Sequence, residues 1–224
     1  MVRDASALGA RRLQATEGVL PGSGVTAGTR GRILAAALQL FAENGYAGTS
    51  IREIAAASGV QSASLYAHFP SKEHILSELA KIGHEEHHRA LRAALLESDH
   101  LPANQLAAVV RAHVLMHTKF SMLAVVSNTE LHSLSPEMAA PVMATRDSSV
   151  QLIQDVIQRG VDLGAFDPPH VWLAVAAIGA MGIRVANWFT SDFELSAEDV
   201  AGTYSEFALR MVNSPMTAPD RRTN

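Results

Sequence analysis

Residues 49–73 crowd two helix starts and two helix stops so closely together that only short helices joined by a tight turn fit. Ser50 precedes Glu53 by three positions. That is a capping box, in which each side chain satisfies the other residue's free backbone N–H, so a helix is predicted from Ile51. Ile51, Ile54 and Ala55 give it one apolar face. Gly59 follows after barely two turns, and glycine takes the left-handed backbone of a helix end without steric cost. Val60 fills the corner. A second helix is predicted over about residues 61–67 with Leu65 and Phe69 inward, and Pro70 ends it. Ser71 caps a third helix that begins at Lys72.

This pattern leaves Gln61, Ser62, Ser64, Tyr66 and His68 outward. Small or flat hydrogen-bonding side chains of this kind enter a major groove, reach base edges and bond phosphates. The layout is that of a helix-turn-helix reader of double-stranded DNA. Within it, Gln61 and Ser62 are expected at base edges, with Ser64 beside them. Tyr66, His68 and Lys72 are expected at phosphates, and Thr49 and Arg52 at the flanking backbone. Arg30 and Arg32, at the start of the preceding helix, are further phosphate candidates.

Residues 29–82 resemble the DNA-binding domain of the TetR family of transcriptional regulators. The matching stretches are residues 33–46, 49–55, 58–60 and 64–73, with every apolar position in register. They cover about a quarter of the chain. One departure stands out: the family often has a basic residue and then a glycine early in the recognition helix, where this chain has Ser62 and Ala63. Phosphate contact is expected to be weaker there, and an operator sequence does not transfer from relatives.

Charge is divided as such a reader requires. The formal net charge is −4, but residues 1–82 hold 8 Lys/Arg against 6 Asp/Glu, whereas residues 83–224 hold 10 against 16. The net positive end is the one that would meet phosphate. So few cations predict only moderate salt dependence and a need for two copies of the reader. The chain lacks cysteine, which excludes disulfides, thiolate metal sites and thiol nucleophiles together. Residues 1–28, with Arg3, Arg11 and Arg12 among Gly, Ser, Ala and Thr, lack an apolar core segment. They read as a disordered basic arm rather than a secretory signal, and the protein is expected in the cytoplasm. Residues 214–224 read as a disordered tail.

The remaining pattern is helical, giving an all-α fold: an N-terminal three-helix unit over 29–82 and a larger helical ligand-binding and dimerisation domain over 83–213. In the first helix Ile33, Leu34, Ala37, Leu38 and Phe41 fall on one stripe, and Gly45 ends it. The helix from Lys72 is predicted to run to Leu91 or Leu95 as a rod joining the two parts. Further helices fit at about 103–118, 120–132, 136–163, 168–190 and 196–213. Residues 171–183 form the most apolar run, 13 residues before Arg184. A membrane span needs about 20, so the run is expected to be buried and no membrane partner is predicted. The resemblance implies a homodimer through the last two helices, which would place two readers about one DNA turn apart on a palindromic operator.

The same resemblance implies a ligand-controlled repressor. Residues 128–138, with Arg146, Asp147, Gly160, residues 164–166 and residues 182–188, resemble the regulatory domain of TetR-like repressors of fatty-acid and steroid catabolism that respond to acyl-CoA thioesters. On that reading Arg184 and Trp188, one helical turn apart, share a face at the pocket, the arginine pairing with a thioester oxygen or phosphate and the tryptophan covering an apolar tail. A salt bridge for Arg184 and core packing for Trp188 are the plainer alternatives.

Ten histidines include two groups with metal-ligand spacing, His84, His87 and His88, and His113 and His117. Glu85, Glu86 and Arg89 make the first read as a solvated helix face. His113 and His117, among Val109, Val110, Val114 and Met116, read as lining a core or pocket and are taken as ligand-binding candidates. No metal site or cofactor is assigned, and a metal-responsive regulator stands as the alternative function. An all-helical enzyme is the weaker alternative: there is no glycine-rich phosphate cradle, Gly-x-Ser-x-Gly elbow or cysteine, so no catalytic residue is named.

Overall fold

A computed structural model describes residues 20–22 and 28–213, and the expected tail at 214–224 and most of the expected basic arm lie outside them. Among the described residues there are nine α-helices and no strand. They are α1 (Gly28–Asn44), α2 (Ile51–Ala57), α3 (Ser62–His68), α4 (Lys72–Glu97), α5 (Pro102–Lys119), α6 (Ser121–Thr129), α7 (Pro136–Asp162), α8 (Val171–Val185) and α9 (Ala197–Met211).

The local signals act as their chemistry requires. The Ser50–Glu53 capping box forms in full, Gly59 has φ +69°, and the Ser71 hydroxyl accepts from the His74 N–H. A second capping box joins Ser196 to Asp199 at the start of α9. Two glycines near the end of α7 have different duties. Gly164, at φ +67°, ends α7, whereas Gly160 lies within it. A Cβ at Gly160 would collide with the Phe166 ring, so this glycine is a seat for that side chain.

The reader's core is made by Ile33, Leu34, Leu38 and Phe41 of α1, Ile54 of α2, Leu65 and Phe69, and Ile75, Leu76 and Leu79 of α4. It does not stop at residue 82. Phe120, Met122, Leu123 and Val126 of α6 belong to the same buried cluster, as does Leu20 from the stretch expected to be an unstructured arm. A second core joins α4, α5, α7, α8 and α9 through residues such as Leu91, Val109, Ile157, Ile178 and Ala208. Helices α5 and α6 meet at 97° around Phe120, so α6 turns out of the second core and lies against the first.

Helix α8 departs from expectation at both ends. It starts at Val171 and stops at Val185, where Asn187 and Trp188 bond back three residues in a tight turn. Nor is its apolar run wholly buried. Trp172 and Leu173 are 57% and 58% exposed because α8 has protein on one side only. No single helix among the described residues is long and apolar enough to cross a membrane.

Candidate nucleic-acid interface and ligand cavity

Helix α3 presents one polar face. Leu65 is fully buried, while Gln61, Ser64, Tyr66 and His68 are exposed and Ser62 is half-buried. Arg52 on α2 is also exposed. Three other residues expected at DNA have different work. Thr49 is 2% exposed, and its hydroxyl donates to the carbonyls of Leu40 and Gly45, closing the loop after α1. Lys72 turns inward: its Nζ donates to the carbonyls of Tyr46 (2.6 Å) and Thr49 (2.7 Å) and sits 4.1 Å from the Tyr46 ring centre. Loss of hydration pulls its amine down from the usual lysine value. Arg30 pairs with Glu78, donates to the His68 carbonyl (2.7 Å) and covers the Phe69 ring. It welds α1 to the end of α3 and to α4. Its guanidinium also satisfies a carbonyl at the C-terminal end of α3, the end that carries partial negative charge.

The second half of the chain encloses a cavity of about 430 Å³ between α4, α5, α6, α7 and α8. Phe120, Leu123, Ile153 and Val175 supply apolar wall, and polar groups converge from three sides. His87 comes from α4, His113 and His117 from α5, and Arg146 and Asp147 from α7. Concave sites with mostly apolar walls and a few convergent polar groups are the usual form of small-molecule sites.

Two expected ligand residues are there and two are not. His113 and His117 line the cavity, 2% and 5% exposed. Arg184 is exposed and Trp188 packs with Phe189 and Phe193 beside a small core of Val114, Val185 and Val200. The expected shared face required α8 to continue to residue 190, and its end at Val185 removes that register. Arg146 and Asp147 take the polar places instead. The signal for them lay in the Arg146–Asp147 pair, which belongs to the stretches that resemble a ligand-responsive regulatory domain.

The histidines rearrange most. His84 is 6% exposed and hydrogen-bonded to the Ser127 carbonyl (3.3 Å), so the face expected to be solvated is turned inward. His87 Nε2 lies 2.7 Å from His113 Nδ1. His113 Nε2 donates to the Gly179 carbonyl and His117 Nδ1 to the His113 carbonyl, because a carbonyl can only accept. Burial pushes His113 down to about 4 and His117 down to about 3, the latter helped by His113, and it lowers His87 well below the ordinary value. All three rings are neutral at pH 7.

Cavity and reader share their framework. His84 and His87 of α4 face the cavity from the helix that Ser71 caps, and Leu123 of α6 lines the cavity while belonging to the reader's core. Gly83 lies against Ser127, the Ser127 hydroxyl donates to the Leu79 carbonyl, and Glu73 accepts from the Ser135 N–H.

Comparison with known proteins agrees with both halves. Residues 33–79 match the family model described as bacterial regulatory proteins, tetR family, and residues 99–212 match that described as tetracyclin repressor-like, C-terminal domain. The chain is 27% identical over 192 residues to the HTH-type transcriptional repressor KstR2 of Rhodococcus jostii, spanning 84% of this chain and 93% of that one. Among solved structures it is similar to a bacterial regulatory protein in the tetR family from Rhodococcus RHA1, with TM-score 0.80, 34% identity and coverage of 85% and 100%. It is also similar to the ketosteroid transcriptional regulator KstR2 of Mycobacterium tuberculosis, with TM-score 0.74, 25% identity and coverage of 88% and 97%.

Proposed function

Because this chain belongs to the TetR family and is a transcriptional repressor of that type, we propose that it binds a palindromic operator as a homodimer and releases it when an apolar small molecule fills the cavity. Helix α3 of each subunit enters a major groove, with Gln61, Ser62 and Ser64 at base edges and Tyr66, His68 and Arg52 at phosphates. Arg30, Thr49 and Lys72 hold the reader in shape. The exposed apolar side chains Trp172 and Leu173 of α8 and Phe207 of α9 are the natural dimer face.

The effector class we propose is an acyl-CoA thioester of a fatty or steroid acid. Apolar walls suit its chain, and Arg146 and the neutral imidazoles suit a thioester oxygen or phosphate. The observation that carries the whole reading is that α4 and α6 each serve both cavity and reader. A ligand pressing them apart alters the spacing of two readers in a dimer. To swing the population from nearly all bound to nearly all released, it must favour the released form by about 5 kcal/mol. No catalytic step forms part of this reading.

Footprinting on the DNA around the protein's own gene, with and without fatty-acyl and steroid-acyl CoA thioesters, is the test. Protection that disappears with one thioester class is expected. Protection unchanged by every thioester would reject the effector assignment.

A further inference from the structure

The structure assigns to His87, His113 and His117 a divalent transition-metal site, for zinc, cobalt(II) or nickel(II), with an open coordination position facing the cavity. The spacing along α5 places His113 and His117 one turn apart on one face, and α4 brings His87 against them. One ring nitrogen from each lies within 4.8 Å of the other two. The ring centres are 4.6, 5.0 and 5.4 Å apart. A tetrahedral ion with Zn–N bonds of about 2.0–2.1 Å holds its imidazole nitrogens roughly 3.3 Å apart, so metal entry needs the rings already gathered to change any one separation by no more than about 1.5 Å.

The surroundings are those of a ligand set. A metal-binding histidine orients one nitrogen by donating the other N–H to a carbonyl or carboxylate. His113 does so to Gly179 (3.1 Å) and His117 to its neighbour's carbonyl (2.7 Å). These bonds fix the tautomers, leaving lone pairs on His113 Nδ1 and His117 Nε2. His87 Nε2 now donates to His113 Nδ1 (2.7 Å); moving that proton to Nδ1 makes Nε2 a third ligand with no change in charge. Burial keeps all three rings unprotonated, as ligation requires. Gly182 completes the arrangement, since a Cβ there would strike the His113 ring. That glycine is the seat of an imidazole.

Three neutral ligands leave the ion its full double charge. The groups facing it from α7 are Arg146 and Asp147, and neither joins the trio. Its free position would therefore hold water or draw an oxygen or sulfur donor from a molecule in the cavity. The inference goes beyond the proposed repressor function, and its test uses no DNA and no thioester.

The test is equilibrium dialysis of untagged, chelator-stripped, full-length protein against zinc, with cobalt(II) as a chromophoric probe. We expect one ion per chain and the visible absorption of four-coordinate cobalt. His87→Gln and His117→Gln should each weaken binding at least about tenfold with helicity unchanged, while the exposed His132→Gln should not. Helical protein that retains no zinc, cobalt or nickel overturns the site, as does unaltered binding in both trio variants. His87, the least buried of the three, keeps the test decisive if substitutions on α5 disturb folding.

Discussion

Among single residues, Arg30 and Arg52 separate scaffold from proposed contact. Arg30 is engaged by Glu78, the His68 carbonyl and Phe69, whereas Arg52 is exposed. Arg52→Ala is expected to lower the slope of log affinity against log salt by about one unit per chain, and Arg30→Ala to leave it unchanged. The Arg30 variant should instead melt earlier by about 1 kcal/mol of stability, the ordinary ceiling for a partly exposed pair. Salt titrations of a DNA fragment and thermal melting measure the two effects. The cavity histidines make a different prediction. His113 and His117 have folded values of about 4 and 3, below the free-histidine value, so between those values and about pH 6.5 the unfolded chain holds more protons than the folded one. Stability of metal-free protein should therefore be intact above that value and fall with acidity below it, by up to about 1.4 kcal/mol per pH unit per histidine. Melting curves across this range check it, and His117→Gln should flatten the fall. The histidines also mark a limit of reading from sequence. Spacing along one helix pairs His113 with His117, but the third member depends on how α4 crosses α5, which no local pattern encodes.

At the level of helices, the reader was legible nearly to the residue. Ser50, Glu53, Gly59, Pro70 and Ser71 each act through neighbours within four positions. Helix α8 was not, because its end at Val185 is set by the Trp188–Phe189–Phe193 cluster folding back on the core. Arg184 and Trp188 lost their expected place for that reason. The joint between α4 and α6 is the element on which the proposed coupling turns. A Cβ at Gly83 would press on Ser127 and approach Leu123. Gly83→Ala should cost about 1 kcal/mol despite alanine's better helix propensity, and Ser127→Ala in the same chain should restore it. Additive losses in the double variant would show that the close approach does not govern the joint.

For the whole molecule, the proposed function makes affinity for DNA depend on two readers held at one spacing. Leu173→Arg and Phe207→Glu place charge on the proposed dimer face. Each should weaken self-association by more than about tenfold in sedimentation experiments and weaken DNA binding with it. Trp172 stands at both that proposed face and the cavity rim, so in the proposed function partner and effector would act on α8 together. Sequence-selective binding by the paired readers is tested by competition between fragments of the source genome and random duplex for the purified, ligand-free protein at low ionic strength. Selection of fragments carrying two related half-sites about one DNA turn apart is expected. Equal binding to every fragment would contradict it.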